Sequence, residues 1–326
     1  MTFLSLWGLF TLKVLSFFLL AAIFFLFVGG VIAKAKQRVK EGLLTLKDLS
    51  SNLEQQMQDL WQGTLDKKAA KQKIKAWKKL QKEKKHEKLP RLFVLKFDGD
   101  IAATDSEKLA EEVTALIQIA DKGDEVLLNL ESGGGVVHGY GYAASQLLRL
   151  KDHGIKLTVA VDKVAASGGY LMAVVADQLL AAPFAIIGSV GVIAQIPNFN
   201  RLLKEKGVDF EQVTAGNYKR TLTLFGENTE AGREKLKEQL EGIHVQFKDF
   251  IHRQRPQVDI NEIATGDHWL AEEAFRLKLV DALQTSDAYL LDAFVQGRPL
   301  FKLEYQSRKS MKQRLMKIAM KGLRGL

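Results

Sequence analysis

The stretch AASGGY at residues 165–170 decides the fold. It follows a predicted strand at Lys156–Val161 and opens a predicted helix at Gly168–Ala176. A serine at such a strand-to-helix turn exposes its hydroxyl near free backbone amides, which favour a developing negative charge. The two glycines let a substrate carbonyl approach the backbone. Ser167 is therefore a candidate nucleophile, although small residues around a serine also occur for close packing alone.

Two further turns of small residues lie near strand ends. ESGGG occupies residues 131–135, and IGSVG occupies residues 187–191. Ligand sites in open α/β sheets form at the carboxyl ends of strands, so we expect all three turns to line one crevice. The first turn lacks the lysine and spacing of a P-loop and the spacing of a dinucleotide fingerprint. A glycine amide in it can instead supply half of an oxyanion hole.

Strands and helices alternate on both sides of these turns, which predicts an α/β domain with a mainly parallel sheet. The other predicted strands are Arg91–Phe97, Glu125–Leu130, Gln178–Ala182 and Val190–Ile196. The other predicted helices are Ser106–Ala120, one that follows the first turn to about Leu150, Phe199–Lys206, Thr229–Gln254 and Ala271–Lys278.

The N-terminus carries an uncharged apolar run of 20 residues, from Val14 to Ala33. At about 1.5 Å per residue such a helix spans roughly 30 Å, the thickness of a bilayer core. The run is longer than the apolar core of a typical signal peptide. We therefore predict a transmembrane anchor within residues 1–40, then a lysine-rich linker at 41–90, a catalytic domain at 91–300 and a basic amphipathic tail at 301–326.

Residues 34–60 are polar with helical spacing. Residues 66–88 of the linker are dense in lysine and carry most of the positive charge behind the net charge of +9. The linker is either a solvated helical or disordered segment or a surface that adheres to anionic lipid head groups. Nucleic-acid binding is disfavoured, because Trp77 is the only aromatic residue in the basic stretch and no stacking platform is evident. The lysines of this stretch are Lys67, Lys68, Lys71, Lys73, Lys75, Lys78, Lys79, Lys82, Lys84, Lys85 and Lys88.

The chain contains no cysteine, which excludes disulfides, thiolate catalysis and cysteine-based metal sites. We expect no cofactor and no metal ion. A nucleophilic serine needs a base, and His138 is the only histidine close in sequence to a candidate turn. No Gly-x-Ser-x-Gly elbow is present, so a histidine triad is possible but has no support from the pattern.

The order of the turns resembles the signal peptide peptidase A family of Ser–Lys peptidases over about residues 91–290. The matching stretches are Ser132–Tyr142, Val161–Tyr170, Ala182–Val192, Pro197–Asn200 and Ala215–Glu227. The resemblance implies a ClpP/crotonase-like α/β fold, preceded by the N-terminal membrane helix and the basic linker.

The resemblance also implies the site residues. The family's nucleophile maps to Ser167 and its general base to Lys219, in the stretch GNYK at residues 216–219. Ser189 is expected to hydrogen-bond and orient the lysine, and Gly134 and Gly168 to supply the oxyanion amides. One departure is visible: the family usually has Ser-Pro-Gly-Gly at the first turn, whereas this chain has Gly133 at the proline position, which is expected to loosen that loop.

The implied activity is that of a serine endopeptidase of the inner membrane of a bacterium, acting on a peptide or protein substrate such as signal-peptide fragments. The resemblance further implies homo-oligomeric rings whose sites are shared between neighbours. The alternatives are a catalytically idle membrane scaffold and, by fold analogy, an acyl-CoA enzyme. The family places the catalytic domain in the periplasm or cell exterior, whereas Lys34, Lys36, Arg38 and Lys40 place it in the cytoplasm by the positive-inside rule.

Overall fold

The computed structural model describes residues 42–84, 89–216 and 218–306. The chain divides into two compact units. One is Leu46–Glu304 and contains the whole candidate site. The other combines Met1–Thr45 with Tyr305–Leu326, and its few described residues include a hydrogen bond from the Gly42 amide to the Tyr305 hydroxyl at 3.0 Å.

The described residues form ten strands and ten helices. The strands are β1 (Leu43–Asp48), β2 (Leu92–Gly99), β3 (Glu125–Ser132), β4 (Lys156–Val161), β5 (Val164–Ala166), β6 (Gln178–Ala181), β7 (Ile186–Gly188), β8 (His268–Leu270), β9 (Ala282–Leu283) and β10 (Leu300–Gln306). The helices are α1 (Leu49–Thr64), α2 (Lys67–Lys84), α3 (Asp105–Ile119), α4 (Val137–Asp152), α5 (Gly168–Ala173), α6 (Asn200–Glu205), α7 (Glu230–Gln254), α8 (Ile260–Ile263), α9 (Ala271–Arg276) and α10 (Ser286–Gln296).

The sheet is parallel through its centre and branches at β3. Its main path runs β1-β10-β2-β3-β4-β6-β9. The first residues of β3 pair with β4, whereas Ser132 at its end pairs with Ala165 of β5. From β5 the branch continues to β7 in parallel and to β8 in antiparallel pairing. The mainly parallel α/β architecture predicted from the alternation of elements is confirmed.

Side chains alternate between the two faces of the sheet, as the pleat requires. In β2, Phe93, Leu95 and Phe97 belong to the larger core, which α3, α4 and α5 cover. Leu92 faces the opposite side and joins a smaller core together with Phe294 of α10. Helices therefore cover both faces of the sheet, which is the usual arrangement for parallel strands.

The basic linker is folded where the structure describes it. α1 and α2 pack against each other, and α2 turns Trp77 toward Phe294 with ring centroids 5.4 Å apart. Ala70 of α2 is 3% exposed. The helical alternative predicted for this segment is confirmed, but the helical spacing predicted for residues 34–60 is wrong at 43–48, where β1 lies at the sheet edge next to β10.

The strand predicted at Val190–Ile196 is wrong, and the strand at this position is β7, Ile186–Gly188. Ser189 adopts φ 54°, which turns the backbone out of the ladder, and its amide donates to the Asp267 carbonyl at 2.7 Å. β10 continues from the predicted catalytic domain into the segment predicted as a tail. That tail's amphipathic part, 309–326, lies outside the described residues.

The predicted anchor at 14–33 also lies outside the described residues. In the part of the chain that the structure describes, none of the helices has both the length and the apolar character to cross a membrane.

A buried carboxylate links strands β3 and β4 to helix α10 on the side of the sheet that carries the smaller core. Glu125, at the start of β3, is 3% exposed. Its oxygens accept hydrogen bonds from the Thr158 and Tyr289 hydroxyls, both at 2.5 Å, and from Arg298 Nη1 at 2.7 Å. Burial by itself raises the pKa of Glu125, but these hydrogen bonds and the charge of Arg298 outweigh burial and hold the pKa below its usual range.

We predict that Glu125→Gln lowers the free energy of unfolding by about 3 kcal/mol at pH 7, because it leaves a largely buried Arg298 without its countercharge. A depressed carboxyl pKa contributes stability above the unfolded pKa of about 4.3, and this contribution is lost as the pH falls through the folded pKa. The difference between the two proteins, measured by urea unfolding in detergent, should therefore shrink below about pH 4.

Glu238→Gln is the matched control, since Glu238 is exposed and pairs with Lys235 at 2.7 Å on one helix. It should change the unfolding free energy by less than about 0.5 kcal/mol. Equal effects of the two substitutions would contradict the role given to Glu125.

Candidate active site

The three small-residue turns lie side by side, as the sequence predicted. Ser132 of β3 is in register with Ala165 of β5, and Ala166 is in register with Gly188 of β7. Because the three strands run parallel, each turn leaves the sheet at the same edge. The pairing therefore places the first turn, Ser167 and Ser189 in one row.

Ser167 sits in a backbone conformation that residues with a side chain rarely adopt. Its φ is 52° and its ψ is −118°, and its amide donates to the Gly188 carbonyl at 2.8 Å. Such a conformation costs on the order of 1–3 kcal/mol and persists only where the surroundings enforce it. The sharp turn between β5 and α5 leaves the Ser167 side chain partly exposed at the wall of a cavity.

Ser189 occupies the equivalent position at the end of the next strand. It follows Gly188 as Ser167 follows Ala166, and those two preceding residues are register partners. Ser189 also has a positive φ, 54°. Ser167 and Ser189 are thus neighbouring serines with similarly unusual φ angles, one at each of two adjacent strand ends.

Gly134 is the residue of the first turn that approaches the nucleophile most closely. Its φ is +88°, and a Cβ built on it would lie 2.7 Å from Ser167 Cβ and 2.8 Å from both the Ala166 oxygen and the Gly168 nitrogen. No side chain fits there without displacing backbone atoms. Gly133, at the position where the resembled family has proline, faces open space, because a Cβ added to it would meet nothing within 4 Å.

A hydroxyl relay holds the first turn in place. Tyr140 donates its hydroxyl hydrogen to the Asp100 carbonyl at 2.7 Å, so Ser132 Oγ must donate to Tyr140 Oη, 2.6 Å away. Ser132 Oγ then accepts from the Gly134 amide at 3.0 Å. Burial and the nearby charge of Asp100 raise the pKa of Tyr140, and together they outweigh the hydrogen bond from Ser132, which lowers it. The hydroxyl therefore stays protonated, as the relay requires.

This relay assigns different tasks to the glycine amides. The Gly134 amide is already engaged by Ser132. The amides of Gly135 and Gly168 donate to no other group in the described part of the chain, and both residues line the cavity beside Ser167. Sequence reasoning selected Gly134 and Gly168. It missed Gly135, Ser132 and Tyr140, because only the folded relay shows which amide is occupied.

The cavity has a volume of about 430 Å³ and is mainly apolar. One wall comes from α4 and α5, and the facing wall comes from α7, through Ile243, Phe247 and Phe250. Gly191, Val192 and Ile193, from the segment mispredicted as a strand, also line it. Two charged residues of α7, Asp249 and Arg253, complete the lining. The space suits an extended chain with an apolar side chain.

Lys219 is exposed to solvent and does not line this cavity. Its amide closes a turn onto the Gly216 carbonyl at 3.2 Å. Its side chain forms no hydrogen bond or ion pair with any residue that the structure describes. Within one copy of the chain, the structure therefore brings Ser167 together with Ser189, Gly134 and Gly168, but does not bring Lys219 to the cavity.

None of the histidines that the structure describes lines the cavity beside Ser167. His138, at the start of α4, is exposed and is not among the residues that line the cavity with Ser167. Within the described ranges, no cluster of three or more histidine or carboxylate side chains is arranged to hold a metal ion.

Known proteins match this chain along nearly its whole length. Residues 149–295 match peptidase family S49, and residues 2–147 match the N-terminal region of the same family. The chain belongs to peptidase family S49. A probable protease SohB from Haemophilus influenzae is 47% identical over 321 residues, which cover 94% of this chain and 90% of that protein. A probable protease SohB from Buchnera aphidicola is 44% identical over 303 residues, 89% of this chain and 99% of that protein.

The resemblance deduced from the turns is therefore confirmed, and the protein is an S49 peptidase similar to the SohB proteases. A peptidase activity agrees with a serine at a sharp turn and with an apolar cavity lined by two residues whose amides are unoccupied. Membership of a peptidase family disfavours the alternative of an acyl-CoA enzyme.

We predict that Gly134→Ala lowers kcat for a peptide substrate at least about 100-fold, because the added methyl group displaces Ser167 and the Gly168 amide from their positions. Gly133→Ala is the matched control one residue away and should stay within about threefold of the parent. Turnover by the purified variants is the measurement. Equal losses would show that the close approach of Gly134 to Ser167 does not matter.

Proposed function

We propose that this S49 peptidase is a membrane-anchored serine endopeptidase in which Ser167 is the nucleophile and Lys219 the general base. The observation that carries the proposal is the strained turn that presents Ser167 to an apolar cavity, which is also lined by Gly135 and Gly168, two residues whose amides are unoccupied. A strained backbone conformation at a residue other than glycine is a reason to infer function, since such strain is concentrated at active sites.

The chemistry follows the order of acyl transfer. The Lys219 amine takes the proton of Ser167 Oγ as that oxygen attacks the peptide carbonyl carbon, and the carbonyl oxygen becomes an oxyanion. The amide of Gly168 and an amide of the first turn donate to it. Sequence reasoning assigned the second amide to Gly134, and the relay through Ser132 favours Gly135 for that task while Gly134 keeps the turn close. Each such donor contributes about 3–4 kcal/mol to the transition state.

The protonated lysine then gives its proton to the leaving amine, and water hydrolyses the acyl-enzyme by the same steps. A lysine acts as a base only in its neutral form, which burial in an apolar cleft without a carboxylate favours. The Ser189 hydroxyl holds the amine by a hydrogen bond without adding charge. The support is its place beside Ser167 at the adjacent strand end.

The exposure of Lys219 supports a dyad completed between copies. The segment around it displays large apolar side chains to solvent: Val208, Phe210, Val213, Tyr218, Leu224 and Phe225. Val213 is 97% exposed. We propose that a second copy covers this segment, and that Lys219 enters the cavity of that neighbour, where burial would keep its amine neutral. A second copy of the chain is proposed to cover this segment because the family resemblance implies a homo-oligomer.

The proposed substrates are extended peptides with small or apolar side chains, such as fragments of signal peptides. The support is the apolar lining contributed by Ile243, Phe247 and Phe250. The apolar run from Val14 to Ala33 supports anchoring in a membrane, where such fragments are released.

We predict that Ser167→Ala and Lys219→Ala each abolish peptide turnover while leaving thermal unfolding unchanged. Co-expression of the two variants should restore about one quarter of the parental activity, because one site in four of a random assembly pairs an intact serine with an intact lysine of its neighbour. Absence of recovery would place both residues of the dyad in one copy. Full turnover by either single variant would contradict the dyad itself.

Lys163→Ala is the matched control for the lysine. Lys163 lies four residues before the nucleophile, and it is exposed and paired with Glu131 at 2.9 Å. Its replacement should leave turnover unchanged. Covalent labelling of Ser167 by an active-site serine probe should persist when all histidines are replaced, and loss of labelling on replacement of His138 alone would favour a histidine base instead.

A further inference from the structure

The lysines of α2 are gathered on one face of a helix whose position on the catalytic unit is fixed. At about 100° per residue, six of them fall within an arc of roughly 100°. These are Lys67, Lys68, Lys71, Lys75, Lys78 and Lys82, and the name lysine face refers to them below. All six are exposed. The helix is about 27 Å long, so the lysine face forms a continuous strip rather than scattered charges.

A second edge of α2 docks the helix on the rest of the unit. This edge carries four buried or half-buried residues at helical spacing: Ala70, Ile74, Trp77 and Gln81. Trp77 packs on Phe294 of α10. Because this edge packs on the catalytic unit, the lysine face points in a fixed direction relative to that unit. A flexible basic linker would have no such fixed direction.

No ion pair within the described part of the chain neutralises the positive charge of the lysine face. None of the six lysines forms an ion pair with a described residue. The two carboxylates of the neighbouring helix α1 accept hydrogen bonds from glutamines of the same helix: Asp59 from Gln55, and Glu54 from Gln58. A strip of six unpaired cations attracts a surface of fixed negative charge.

We propose that the lysine face lies on the anionic surface of a lipid bilayer and thereby sets which side of the catalytic unit faces the membrane. We choose a bilayer because the apolar run proposed as the membrane anchor ends at Ala33, only 33 residues before α2. Nucleic acid is the other polyanion to consider. The only aromatic residue of α2, Trp77, is taken up by packing on Phe294, so the face offers no platform on which bases stack.

The test is lysine acylation of the full-length chain in lipid nanodiscs, with mass spectrometry of the labelled peptides. Discs of phosphatidylcholine alone are compared with discs that contain phosphatidylglycerol. We expect labelling of Lys71, Lys75 and Lys78 to fall at least threefold in the anionic discs at about 0.1 M salt, and to recover at about 1 M salt, where the screening length is near 3 Å. Lys206 and Lys237, exposed on other elements, should label equally in both.

A charge-matched pair of variants separates the lysine face from net charge. In the first variant Lys71, Lys75 and Lys78 become Gln, and the remaining lysines of the face should lose their protection. In the control Arg201, Lys206 and Lys237 become Gln, and protection should be kept. Both should retain peptide turnover, which makes this result independent of the proposed dyad.

Three outcomes would overturn the proposal: equal labelling in both kinds of disc, an equal fall at every exposed lysine, or protection in neutral discs only when duplex DNA is added. Co-elution of the chain with neutral discs reports the anchoring proposed above. Recruitment by anionic but not neutral discs would contradict that anchoring and still support the lysine face.

Discussion

The parallel pairing that joins the ends of β3, β5 and β7 is the constraint on which the site depends. Two register pairs, Ser132 with Ala165 and Ala166 with Gly188, bring three separate turns to one edge. Backbone hydrogen bonds to neighbouring segments then hold Ser167 and Ser189 in positive-φ conformations that an isolated turn would rarely adopt. The amide of Ser167 is held by Gly188 and that of Ser189 by Asp267. The strain at both serines is compensated by a rigid ladder, so the positions of the two side chains are set by the sheet rather than by their own loops.

Much of this arrangement follows from local sequence. The alternation of strands and helices predicts the sheet, and the three small-residue turns predict where its functional edge lies. A strand followed by a serine and two glycines already marks Ser167. The predictions of the sheet and of the grouping of the turns are confirmed, because each depends on neighbouring residues and on one general property of parallel sheets, the common direction of their carboxyl ends. The catalytic role of Ser167 stays a prediction.

The rest depends on contacts between distant residues, which local pattern does not encode. The run from Val190 to Ile196 has the composition of a strand, yet the turn at Ser189 removes it from the ladder and makes it a wall of the cavity. The engagement of the Gly134 amide follows from Tyr140 and Asp100, which meet it only in the folded protein. The strands β1 and β10 pair at a lateral edge of the sheet although they are about 250 residues apart in sequence. The tyrosine that donates a hydrogen bond to Glu125 comes from the distant helix α10.

The exposure of Lys219 has a consequence for regulation. Under the proposed shared dyad, an isolated copy holds a nucleophile without its base and behaves as a dormant precursor that needs no cleavage to be activated. Hydrolysis would then rise more steeply than in proportion to the number of copies per unit area of membrane. Expression level and lateral crowding would act as the switch, and sparse copies would be harmless to the proteins around them.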